Sequence, residues 1–98
     1  MSVMVVNRIK LRVPVEEVAP DVEREFPAAL RALPGFERFR LVKTGPDEVV
    51  VLISWATADD AASAAAILGP GVFNTWIAPR AESQDRVVGE MLIEVVAG

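Results

Sequence analysis

Ninety-eight residues, a net charge of −4 and 52% hydrophobic side chains suit one small domain with its own core. The chain has no cysteine, histidine or tyrosine, which excludes disulfides, thiolate and imidazole metal ligands, a cysteine nucleophile and the commonest general base. Its basic residues are scattered, which argues against a nucleic-acid surface. No apolar run reaches membrane length and no signal peptide opens the chain, so the expected location is cytoplasmic, with no membrane partner. A domain of this size exposes much of its surface, so the apolar surplus points to a partner chain.

Residues 3–13 alternate. Val3, Val5, Asn7, Ile9, Leu11 and Val13 share one face; Met4, Val6, Arg8, Lys10 and Arg12 share the other. Period two over this length predicts a strand. Asn7 is the only polar residue on the apolar face. A buried amide needs partners: a neighbouring backbone group or water on one reading, a ligand in a pocket on the other.

After Pro14, helical spacing joins Val18, Val22, Phe26, Ala29, Leu30 and Leu33. Pro20 suits a first turn, whereas Pro27 should bend the helix. Phe26 beside it is either core or a pocket wall. Pro34-Gly35 stops the helix. Residues 36–43 read as an edge strand, with Phe39 and Leu41 on one face and Phe36, Arg38, Arg40 and Val42 on the other. Arg38 and Arg40 are anion-binding candidates or simply a solvated edge. Thr44-Gly45-Pro46-Asp47 is a turn.

The third strand spans about residues 48–56. Its run Val49-Val50-Val51-Leu52-Ile53 is apolar at both parities, so both faces need a cover. Trp55 ends it. Thr57 and Asp60 resemble a capping box that opens a second helix, about residues 58–68, rich in alanine. Gly69-Pro70-Gly71 breaks that helix. Residues 72–77 suit a short turn with Phe73 and Ile77, and Val72 and Trp76, at four-residue spacing. Residues 79–85 are polar and read as irregular. Residues 86–96 alternate again and predict a fourth strand.

The order strand, helix, strand, strand, helix, strand predicts an α+β, ferredoxin-like βαββαβ fold with an antiparallel sheet of order 4-1-3-2. Helices cover one face. A second copy is the simplest cover for the other, so a homodimer is expected.

Asn7 on the first strand, Pro34-Gly35-Phe36 at the second, and Ser54-Trp55 leading into Asp59-Asp60 resemble the antibiotic biosynthesis monooxygenase domain. The resemblance spans nearly the whole chain. It implies a dimeric α+β barrel with one pocket per subunit between sheet and helices. It also implies two chemistries. Cofactor-free, quinone-forming monooxygenases use an asparagine and a tryptophan on the third strand; Trp55 matches the tryptophan, and Val51 stands where the asparagine would be. Haem-degrading members use a first-strand asparagine, matched by Asn7, then a helical tryptophan and a histidine. Those two positions fall near Ala66 and Thr75.

The resemblance therefore implies a cofactor-independent monooxygenase acting on a small aromatic, polyketide-like substrate, with Asn7 and Trp55 as catalytic groups. Phe26, Phe73, Trp76 and Ile77 would bind the substrate. No cofactor or metal is expected. The alternatives are a non-catalytic module that binds a small apolar ligand, and a structural homodimer.

Overall fold

The computed structural model describes all 98 residues, Met1–Gly98. Strand β1, Val3–Leu11, buries Val3, Val5, Asn7, Ile9 and Leu11 and turns its even-numbered residues away. β1 lies inside the sheet, because its apolar residues pair on both sides. It runs antiparallel to β3, Glu48–Trp55, with Val3 opposite Trp55 and Asn7 opposite Val51. It also runs antiparallel to β4, Ala81–Glu90, with Asn7 opposite Arg86. β2, Phe36–Gly45, pairs only with β3 and forms one edge. The sheet order β2-β3-β1-β4 is the expected topology.

Helix α1, Ala19–Arg31, lays Val22, Phe26 and Leu30 on the sheet. It runs through Pro27, although that proline removes one backbone bond. Helix α2, Ala58–Leu68, starts where the Thr57 side chain accepts a hydrogen bond from the Asp60 amide at 3.0 Å. This satisfies one of the orphan donors of its first turn. α2 turns Ala61 and Ala64 into the core. Trp55, Ile9, Leu11, Leu30 and Ile77 are among the largest fully buried side chains. No helix is long and apolar enough to cross a membrane.

Gly35 links α1 to β2 in the left-handed region, at φ 76°. A side chain there would also overlap the Asp60 carboxylate at the start of α2. The left-handed backbone alone costs a non-glycine residue about 1–2 kcal/mol, and displacing Asp60 adds to that. Gly35→Ala is expected to lower unfolding stability by about 2 kcal/mol or more in urea titrations. An unchanged midpoint would show that the turn relaxes freely.

Two expectations need correction. Phe36 does not share a face with Arg38 and Arg40. The register shifts between Phe36 and Arg38, so both Phe36 and Phe39 face the helices, opposite Trp55 and Ile53. The extra residue of a bulge reverses the parity on one side of it. The fourth strand also lies earlier than expected, over Ala81–Glu90 instead of residues 86–96. β4 follows β1 from Leu11 back to Val3, and β1 then ends. A last backbone bond joins the Met91 amide to the Ser2 carbonyl at 2.8 Å. The ladder therefore decides the boundary, and the alternation of residues 91–96 continues with no strand of this chain beside it.

The face away from the helices carries Met4, Val6, Val50 and Leu52, all half-buried, with Val42 and Val87 exposed. Leu92, Ile93, Val95 and Val96 are exposed as well.

Candidate functional site

Helix α2 presents small side chains to the sheet, Ala61 and Ala64 among them. Between helix and sheet lies a cavity of about 340 Å³. Its floor is Val5 and Asn7 of β1 with Val51, Ile53 and Trp55 of β3. Its walls are Phe26 of α1, Ala61, Ala65 and Leu68 of α2, and Phe73 and Ile77 beyond it. Close-packed interiors hold few voids larger than a water, while ligand pockets span roughly 300–1,000 Å³. The space has the size of a binding pocket.

Three polar side chains enter it: Asn7, Gln84 and Arg86. Asn7 is 5% exposed. Its Nδ2 donates to Gln84 Oε1 at 2.9 Å, and its Oδ1 is buried with no partner. Neither reading of Asn7 foresaw a side-chain partner on β4. An unsatisfied buried acceptor costs roughly 1–3 kcal/mol, so the amide is set for something the chain does not itself supply. Arg86 stands directly opposite Asn7 on β4 and is exposed at the mouth. It enters none of the ion pairs. No carboxylate lines the cavity.

Trp55 is 1% exposed and meets Phe36 edge-on, ring centroids 5.7 Å apart. Phe26 and Phe39 stand at the same separation, tilted by 40°. Asn7, Trp55, Phe26, Phe73 and Ile77 therefore share one cavity. Trp76 does not join them. The Arg24 guanidinium lies 5.5 Å from its ring centroid, and this cation–π contact draws the indole to the outside of α1. Arg38 and Arg40 are exposed on β2, away from the cavity.

The wall that carries Phe73 and Ile77 is pinned from outside. Arg80 bonds Asp21 Oδ2 at 2.9 Å and the Glu17 carbonyl at 2.7 Å. The hydrogen bonds from Arg24 and then Arg80 hold the Asp21 carboxyl below the usual carboxylate range. That contribution is present above the unfolded carboxylate pKa and is lost as pH falls through the lowered folded value. No group of three or more His, Cys, Asp or Glu side chains gathers anywhere.

Gln84 and Arg86 were missed by sequence reasoning. Gln84 lies in a polar stretch that reads as irregular, and Arg86 carries no apolar signal. The clue lay in the pairing of β4 with β1, since the residue opposite Asn7 shares its face.

No protein-family model matches the chain, and no curated protein matches it. Solved structures do. SnoaB, a cofactor-independent oxygenase from Streptomyces nogalater, superposes with a TM-score of 0.80 at 20% identity, over 96% of each chain. A Nitrosomonas europaea protein provisionally classed as an antibiotic biosynthesis monooxygenase gives 0.73 at 17% identity, over 93% of this chain and 90% of its own. MhuD, a heme-degrader from Mycobacterium tuberculosis, gives 0.65 at 21% identity, over 96% of this chain and 99% of its own. At these identities the likeness is one of fold, and it agrees with the expected ferredoxin-like topology.

Proposed function

We propose that the chain is a cofactor-independent monooxygenase acting on a small aromatic, polyketide-like substrate held in this cavity. The observation that carries the reading is the apolar chamber with one buried, unpartnered amide oxygen at its floor. The fold shared with SnoaB supports it.

In such a reaction an acidic CH₂ of the substrate loses a proton to solvent at the mouth. The carbanion passes one electron to O₂, and the radical pair combines as a carbon hydroperoxide. Loss of water leaves a ketone. The balance is R₂CH₂ + O₂ → R₂C=O + H₂O, with the substrate as the only reductant. The protein excludes water and orients the ring. Phe26, Phe73 and Ile77 provide the walls, Trp55 the end wall, and Asn7 the polar contact.

Oxygen uptake with a hydroxylated anthrone tests this. One O₂ consumed per quinone formed, faster than the buffer rate, is the expected result. Tight binding at the buffer rate would favour the non-catalytic module, which the lack of a carboxylate in the cavity also suits. The reading includes a homodimer joined through the uncovered sheet face.

Haem degradation is not part of it. Histidine, cysteine and tyrosine, the usual protein ligands of haem iron alongside methionine, do not occur in the chain. Titration with hemin should give no defined Soret shift at stoichiometric protein. A sharp one-to-one complex that loses its haem under reductant would refute this.

A further inference from the structure

We infer that Arg86 selects ligands that carry an oxyanion and, beside it, a hydroxyl that donates to Asn7 Oδ1. The inference rests on the cavity being the ligand site, as proposed above, and does not need the oxygen chemistry.

Asn7 and Arg86 face each other across β1 and β4 on the helix side of the sheet. Directly opposed residues have Cβ atoms about 4.5–5.5 Å apart, so both address one edge of a bound ring. Gln84 takes an N–H of Asn7 on the strand side. In this arrangement Oδ1 is left as an acceptor with nothing to accept. A carbonyl on the ligand cannot satisfy it; a hydroxyl can.

Arg86 is the one ionisable residue that lines the cavity, and no carboxylate of the protein pairs with it. A guanidinium keeps its charge at any working pH. The ligand must therefore bring the negative charge, as a carboxylate, phenolate or enolate oxygen. A cation at close range favours the ionised form of an acid. Arg86 thus stabilises an ionised ligand in a site that holds no general base.

Three probes separate the two contacts. They are 4-hydroxy-2-naphthoate, 2-naphthoate without the hydroxyl, and 1-naphthol without the carboxylate, titrated by calorimetry at pH 7. The doubly functional probe should bind tightest. Arg86→Gln should weaken both carboxylates about tenfold and leave 1-naphthol unchanged, and Arg86→Lys should restore part of the loss. Asn7→Leu should erase the advantage of the hydroxyl and leave 2-naphthoate unchanged. An Arg86→Gln variant that binds all three probes as before, or weakens all three alike, would overturn the inference. Selective binding without oxygen uptake on any anthrone would support it while sinking the oxygenase reading. Oxygen uptake with binding indifferent to Arg86 would do the reverse.

Discussion

Val6→Asp is expected to convert a dimer into a folded monomer at micromolar concentration. Val6 lies in the middle of the uncovered face, between Leu52 on β3 and Val87 on β4. A carboxylate there would be buried between two copies, with Arg8 on the same face already turned to Glu48, and such burial costs several kcal/mol. About 3 kcal/mol raises a dissociation constant roughly a hundredfold. Leu52 is a poorer place for the test, since Arg40 stands opposite it and could pair with the new charge. Ile67→Asp is the control: Ile67 is 58% exposed on α2, away from the sheet's back face. Light scattering reads both variants, and circular dichroism checks that each remains folded. A monomeric parent protein would end the dimer proposal. A dimer that survives Val6→Asp and falls apart with Ile67→Asp would move the interface to the helices.

The parts of the fold that were legible are those where one residue's neighbours along the chain decide its environment. The alternation of β1 put Asn7 among Val5 and Ile9 on the buried face, and there it lies. The two-sided apolarity of β3 marked an interior strand, and β3 sits between β2 and β1. Thr57 announced the start of α2 through a local bond to the Asp60 amide. The parts that were not legible depend on distant partners. Nothing between Glu82 and Asp85 prefers a strand; the ladder with β1 makes it one. The irregular step after Phe36 carries no mark in the residues themselves, yet it reverses the face of that ring. Trp76 had the right spacing to join Phe73 at the cavity, but Arg24, from another helix, offers its ring a cation outside. The candidate site was half legible for the same reason. Its apolar walls follow from periodicity, while Gln84 and Arg86 reach it only through pairing.

Asn7→Leu is expected to leave the protein as stable as its parent, or slightly more stable, and to cost turnover about a hundredfold. The amide has one partner, the Gln84 side chain, which is itself exposed and can turn to water. Leucine removes the unsatisfied Oδ1 together with that single bond, and the partner left behind, Gln84, is exposed and can bond water, so the change is close to neutral. Asn7→Ala removes the same polar atoms but leaves the pocket larger, so it should be the less stable of the two, by about 1 kcal/mol of lost side-chain contact. Turnover should fall alike in both, because a ligand that has lost its orienting contact sits wrongly, and small misplacements cost about 10² in rate. Thermal melts and oxygen uptake with a hydroxylated anthrone, run on the same preparations, separate the two effects. A drop of about 2 kcal/mol in the leucine variant with full turnover would make Asn7 a core residue held for stability by Gln84. The cavity would then have no polar group on its first strand with a part in the chemistry.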